Sequence, residues 1–416
     1  MKNYKPKNQQ ALIPIQACWG PYGNREAYKN YAECGFTWVY LDTDNGKITP
    51  CATMKELLEW SEEFSLGSFV ISFYKMLDES EIVYGDYPHF TGVTFGDEPI
   101  FDQVPEVLQS ALDFEKRYPD KIAYVNLAPC YWHPELFAEF HSDRLMRKEY
   151  CRLYSDDFLD KLRGTKIFSM DCYPLLEDPN GDVFIYSDWL LHLEMCALIC
   201  RRKKYDFHFY LQTAGGWDSD YSMYGGRSVP PLRIEDLRMQ VSVSFAYGVK
   251  GFHYFTYRPM PGCRYGALTD ENGITPMWYF AKQVNEEIQK LAPIILSFNW
   301  IRAGAYRGEE VSTFYAEKAF SMLEMDDKRF YKVNNVHASH DLVVGEYIDD
   351  RGNYGYMFAS YTLVRENNVN HISFEASGTV IAYRNGTLEE LTPTDGVIHT
   401  QLAMGDGLFV IVEENC

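Results

Sequence analysis

Two adjacent carboxylates, Asp97 and Glu98, close the run FTGVTFGDEP at residues 90–99. Neighbouring carboxylates repel, which raises the pKa of one of them and keeps a proton available for general-acid chemistry. The run alternates as a strand does, with Gly92, Thr94 and Gly96 on one face and Val93 and Phe95 on the other. Small residues on one side and bulky apolar ones on the other suit a parallel barrel, small side inward. The same parity carries Glu98 inward at the carboxyl end of the strand, with Asp97 beside it. Pro99 then stops the ladder, because it has no N–H to donate. The alternative use of such a pair is as an acidic cap on the helix that follows.

Applied to other strand-like runs, the same alternation gathers further polar and aromatic groups. Within TKIFSMDCYPL (165–175), Asp171 and Tyr173 share a face with Ile167 and Ser169. FHFYLQTAGG (207–216) puts His208, Tyr210 and Gln212 together. Tyr124 and Asn126 come from a third run, Tyr40 and Asp42 from a fourth and Trp19 from a fifth. VKGFHYFTYRP (249–259) adds Tyr254, Thr256 and Tyr257, and the Gly- and Tyr-rich loop after residue 216 adds Trp217. Carboxylates, amides and aromatic rings around one mouth make a carbohydrate site: hydroxyls need polar partners, and the apolar face of a sugar needs a ring. Rim packing is the alternative role of those Tyr and Trp residues, and a turn-ordering role is the alternative for Asp171. His208 and His253 read as core groups. No His, Asp or Glu cluster has metal spacing and no GxSxG elbow occurs, so neither a metal nor a serine nucleophile is expected, and no cofactor.

The elements that must position these residues alternate along the chain. Strand-like runs at 12–20, 37–44, 67–74, 90–96, 121–129, 165–175, 207–216 and 249–259 precede helix-like or irregular segments. Eight β-then-α units in this length predict an α/β fold, a (β/α)8 TIM barrel over residues 1–300, whose chemistry sits at the strands' carboxyl ends. CWGPYG after the first run lacks the phosphate-loop fingerprint of an open doubly wound sheet. Beyond residue 300 helical patterns fade. DLVVGEYID, YGYMFASYT, HISFEA, GTVIAYR, VIHTQL and GLFVIVEE, separated by turn residues, predict a C-terminal antiparallel β-sandwich over 301–416. Asn385-Gly386 reads as a hairpin turn. No linker-like composition separates the halves, so a shared interface is expected.

The net charge is −20, from 39 basic and 59 acidic residues, which argues against nucleic acid or anionic membrane as partner and for a neutral carbohydrate substrate. Aromatic residues make up 16% of the chain, a surplus common where sugar rings stack. The ten cysteines form no CxxC, and the N-terminal MKNYKPKNQQ has no apolar leader core, so reduced thiols and a cytoplasmic location are expected.

FGDEP, SMDCYP and RMQVSVSFAYGVKGFHYFTYRP, supported by ALTDENGITPMWYFAKQVNEEI and GDGLFVIV, carry a resemblance across most of the chain. The sequence resembles (β/α)8 glycoside hydrolases with a trailing β-sandwich, of the kind grouped loosely with β-galactosidases. The resemblance implies glycosidic-bond hydrolysis, with Glu98 in the place of the acid/base that ends strand four. It also implies a nucleophilic Glu ending strand seven, and here the sequence departs: FHFYLQTAGG has none, and Gln212 stands about where one is expected. Asp171 as the second carboxylate is one resolution. A gap to Glu98 of roughly 5–5.5 Å would then mean retention and roughly 6.5–9.5 Å inversion. Asp97-Glu98 also resembles the pair of β-N-acetylhexosaminidases, in which the substrate's acetamido group attacks. Asp218 or Asp220 is a third resolution, and an inactive carbohydrate-binding barrel is the reading outside enzymology.

Overall fold

The computed structural model describes residues 4–42, 52–73, 77–80, 82–99, 102–127, 152–186, 188–216, 227–231, 233–260, 265–310, 330–363 and 369–413. Eight parallel strands form one sheet: β1 (Ile15–Ala17), β2 (Trp38–Leu41), β3 (Gly67–Ile71), β4 (Phe90–Asp97), β5 (Ile122–Leu127), β6 (Ile167–Met170), β7 (Asp206–Gln212) and β8 (Gly251–Phe255). Their order is β1-β8-β7-β6-β5-β4-β3-β2. A bond from Thr37 N to Ile15 O (2.9 Å) joins the first strand to the start of the second, so the sheet returns on itself as a barrel. All eight expected strands are present, most of them shorter than the apolar runs.

Helices α1 (Arg25–Glu33), α2 (Met54–Glu63), α3 (Val104–Arg117), α4 (Trp189–Lys203), α5 (Ile234–Ala246) and α6 (Pro276–Ile295) cover the outside. Local chemistry sets several of their starts. Asn24 Oδ1 accepts from Ala27 N ahead of α1, and Thr53 with Glu56 forms a capping box ahead of α2. Two connections depart from a plain strand-to-helix pattern. Between β3 and β4 the described residues hold only a 3-10 turn, Tyr84–Asp86. Around SDDFLDKLRG the chain forms only a short π-helical turn, Arg152–Asp156, and a 3-10 turn, Leu159–Lys161. The buried Glu115 carboxylate accepts from Arg163 N and Gly164 N (2.8 Å each), which gives that backbone a partner other than a helix. The sixth strand also ends early. After Pro174 the chain starts a three-stranded antiparallel insert from Leu175–Glu177, Val183–Ile185 and Arg227–Ser228.

The antiparallel part opens with β9 (Phe298–Tyr306), followed by β10 (Val333–Ala338), β11 (Leu342–Asp349), β12 (Tyr354–Ser360), β13 (Val369–Ala376), β14 (Thr379–Arg384), β15 (Thr387–Glu389), β16 (Val397–Ala403) and β17 (Gly407–Glu413). Six strands in the order β9-β11-β12-β17-β14-β15 face three in the order β10-β13-β16. Leu342, Val344, Phe358, Phe374, Leu402 and Val410 pack between them. Asn385 and Gly386 both have positive φ (45° and 78°), the two-residue turn read from the sequence.

The other face of the six-stranded sheet belongs to the barrel's core: Val343, Tyr347, Met357, Ala359, Phe409 and Ile411 are buried with the barrel's outer-face residues. Two bonds reach the end of α5, Trp300 Nε1 to Ala246 O (2.8 Å) and Tyr347 Oη to Phe245 O. Gly345 lies so close that a Cβ there would sit 2.0 Å from Ala246 O.

Candidate active site

The end of β4 departs from simple alternation. Thr94 pairs with Tyr124, but Gly96 pairs with Val125 and Asp97 with Asn126, so one extra residue is accommodated on β4. Such a bulge resets which residues face inward. Phe95 is buried in the outer core, and a Cβ on Gly96 would point at Val107 of α3. Asp97, not Glu98, therefore takes the inward position expected of the strand. Glu98 reaches the interior another way. Its φ is +48°, the left-handed region, and its N–H donates to Asn126 O (2.9 Å). A non-glycine residue held there carries local strain of a kind that recurs at functional sites.

Three carboxyl groups meet around one amide. Asn126 Nδ2 donates to Asp97 Oδ1 (3.1 Å) and to Asp171 Oδ1 (2.9 Å). Its Oδ1 accepts from Ser169 Oγ (3.2 Å), itself 2.6 Å from Tyr124 Oη, which fixes the orientation of the amide. Glu98 is hydrogen-bonded to Asp171, and so is Tyr173. Burial, then the Asp171 and Asp97 charges, push the Glu98 carboxyl far above the ordinary carboxylate range. Burial and the Asp97 charge also raise Asp171, against the lowering by its bonds from Asn126, Glu98 and Tyr173. Asp97 is raised by its enclosing walls and lowered by Asn126. Of the three it is the one solvent reaches most freely. Glu98 and Asp171 thus titrate as a pair, with one proton between them near neutrality and Glu98 holding it.

A cavity of about 320 Å³ opens beside this cluster at the carboxyl ends of the strands. Asp97 and Asn126 form part of its wall, with Trp19, Tyr40, Asp42 and Tyr210. Trp19 has φ +50°. Asp42 Oδ2 accepts from Arg258 Nη2 (2.5 Å), and the Arg258 guanidinium lies 5.4 Å from the ring centroids of both Trp19 and Tyr22.

Of the residues expected at the site, Trp19, Tyr40, Asp42, Asp97 and Asn126 line the cavity, and Glu98, Asp171 and Tyr173 join the carboxyl cluster. Three others do not reach it. Gln212 is completely buried: its Oε1 accepts from Leu175 N (2.7 Å), and its Nε2 lies 2.8–2.9 Å from Leu175 O, Ser228 Oγ and Val229 O. An amide both accepts and donates, so Gln212 ties the insert to β7, a task a carboxylate could not perform. Tyr254 is buried on the helix side of β8, its Oη donating to Asn285 Oδ1 (2.7 Å). Tyr257 is buried against Tyr31 and Phe36. Trp217, Asp218 and Asp220 lie outside the described residues.

Tyr210, gathered by alternation with His208, lines the cavity. Sequence reasoning passed over Arg258, which carries no local signal because its partner Asp42 is 216 residues away. His208 Nδ1 and His253 Nε2 are 3.0 Å apart and buried, and burial holds both rings below the usual imidazole range; they are core groups, as read. Among the described residues no three His, Cys, Asp or Glu side chains are grouped as a metal site needs. Cys18, Cys34 and Cys200 are free thiols. No helix among the described residues is long and apolar enough to cross a membrane.

No family model and no curated protein matches the chain. Solved structures do. A GH27 β-L-arabinopyranosidase from Geobacillus stearothermophilus aligns at TM-score 0.51 and 10% identity, covering 98% of this chain and 97% of that one. A family 39 glycoside hydrolase from Bacteroides cellulosilyticus WH2 aligns at 0.49 and 11%, covering 97% and 81%. A GH30 endoxylanase from Clostridium papyrosolvens C71 aligns at 0.42 and 10%, covering 98% and 97%. At such identities the likeness to the first is one of fold, a barrel with a C-terminal β domain.

Proposed function

We propose that the protein is a glycoside hydrolase acting with retention of configuration on a carbohydrate held in the cavity beside Asp97. One observation carries the stereochemical reading: a single nitrogen, Asn126 Nδ2, bonds both Asp97 and Asp171. This fixes the Asp97 carboxylate at the cavity wall, where displacement at C1 first by Asp97 and then by water restores the configuration.

In this reading Glu98, the raised member of the pair, gives its proton to the glycosidic oxygen as the C1–O bond breaks. Asp171 holds that proton in position beforehand. Asp97, open to the cavity and steadied by Asn126, attacks C1 and forms a glycosyl ester. Water, deprotonated by the Glu98 carboxylate, then releases the sugar and returns the proton to Glu98. Asp171 as nucleophile, the expectation from the sequence, is less favoured: it is only 8% exposed and its oxygens are occupied by Asn126, Glu98 and Tyr173. The adjacency of Asp97 and Glu98 favours a second reading, in which Asp97 orients a substrate's own 2-acetamido group. The fold shared with the β-L-arabinopyranosidase supports the class of reaction but not the sugar.

A panel of aryl glycosides, N-acetylhexosaminides included, finds the reactive sugar. The matching 2-deoxy-2-fluoro glycosyl donor is then expected to add one glycosyl mass to the peptide bearing Asp97. Label on Asp171 would reassign the nucleophile. Hydrolysis confined to 2-acetamido sugars without a labelled peptide would select the substrate-assisted reading. Formation of the inverted anomer, followed by NMR, would remove the retaining mechanism.

A further inference from the structure

We propose that this cavity selects sugars bearing no negative charge, and that Asp42, held by Arg258, is the residue that sets this specificity. The proposal rests on the site being a carbohydrate site, and it concerns the part of the wall at the end of β2, two strands along the sheet from Asp97 on β4. No lysine or arginine is among the described residues lining the cavity. Arg258 is 2% exposed and pairs its charge with Asp42, while the Trp19 and Tyr22 rings lie against its guanidinium. Its Nε has no hydrogen-bond partner among the described residues, so Asp42 is its principal charged contact. Asp42 itself keeps about a quarter of its side-chain surface exposed and lines the cavity.

A carboxylate anchored in that way presents acceptors to sugar hydroxyls, beside an aromatic ring that can meet the apolar sugar face. The end of β4 adds Asp97, next to the singly protonated Glu98–Asp171 pair. A ligand carboxylate would therefore meet the negative charges of Asp42 and of this cluster, and an arginine already neutralised. At contact range, in surroundings between water and protein interior, one such added charge weakens binding by about 10–100-fold. A hydroxymethyl or a hydrogen at the same position carries no such penalty. Arg258 acts through Asp42 and is a positioning residue.

The test compares sugars matched except for charge: galactoside with galacturonide, glucoside with glucuronide, and galactose with galacturonate as free ligands followed by NMR saturation transfer. The native protein should favour the neutral member of each pair by at least tenfold. Asp42→Asn uncovers the Arg258 cation. It should raise the relative affinity for the uronate at least tenfold while raising KM for the neutral sugar more than it lowers kcat. A loss of packing alone would not move the ratio in that direction, and a thermal melt checks that the variant is folded. Uronates bound as well as their neutral partners by the native protein would overturn the proposal, as would an unchanged ratio in folded Asp42→Asn or binding of no sugar in the panel. Neutral preference without hydrolysis would leave this proposal standing and remove the hydrolase reading. Hydrolysis of uronides at equal rates would do the reverse.

Discussion

Glu98→Gln should make the protein both inactive and more stable, and the second effect follows from where its proton sits. An unfolded glutamate releases its proton at pH ~4.3. Folded Glu98, desolvated and facing Asp171 and Asp97, keeps its proton through neutral pH. Between those two pH values the folded chain binds one proton more than the unfolded chain, so stability falls as pH rises. The slope is about 1.36 kcal/mol per unit for one proton, which would reach about 3.7 kcal/mol at pH 7. Because Glu98 is partly reached by solvent, a discounted figure on the order of 1–3 kcal/mol is the working expectation. Glutamine is neutral at every pH and can still donate to Asp171, so it removes this penalty while keeping the contact. Urea melts at pH 7.5 should show the variant more stable by that amount, and the advantage should vanish near pH 4. Turnover of glycosides with poor leaving groups should fall by about 10²–10⁴-fold, with dinitrophenyl glycosides affected far less in the glycosylation step. Equal destabilisation at both pH values would refute the placement of the proton, and near-native turnover would refute the role.

Further perturbations probe the frame that holds the site. We propose a division of the chain near residue 300, across which the two parts share one core; a chain ended there should be insoluble or much less stable. Gly345→Ala tests the same contact in the full chain, and should cost about 3 kcal/mol in a denaturant melt because its Cβ would overlap Ala246 O. Gln212→Ala should cost about 3 kcal/mol by stranding the main-chain groups of Leu175 and Val229, with KM unchanged for the folded fraction. Gln212→Glu should add no activity, since a carboxylate cannot donate to Leu175 O.

Much of this architecture is local, and local features are legible in a sequence. Strand β4 announces itself through alternation, and Asn385-Gly386 through its turn chemistry. Asp171, Asn126, Tyr40 and Trp19 were all found by period-two parity carried to a strand's end, which holds wherever a strand runs without a bulge. At Phe95-Gly96 the ladder takes an extra residue, and there parity assigned the inward position to Glu98 when it belongs to Asp97. Tyr254 and Tyr257 fail because both rings pack away from the cavity, Tyr254 with its hydroxyl on Asn285 and Tyr257 against Tyr31 and Phe36.

The sequence by itself determined the order of the elements, the barrel followed by antiparallel strands, and the presence of carboxylates at two strand ends. These follow from periodicity and from residue chemistry within a few positions of the chain. Only the tertiary structure decided which of those groups meet. That Asn126 joins Asp97 to Asp171, that Glu98 turns back through a left-handed backbone, that Gln212 serves the insert, and that Arg258 covers Asp42 are all contacts between distant segments. Their energies depend on burial and on distances of a few ångströms, and closure of the barrel sets both.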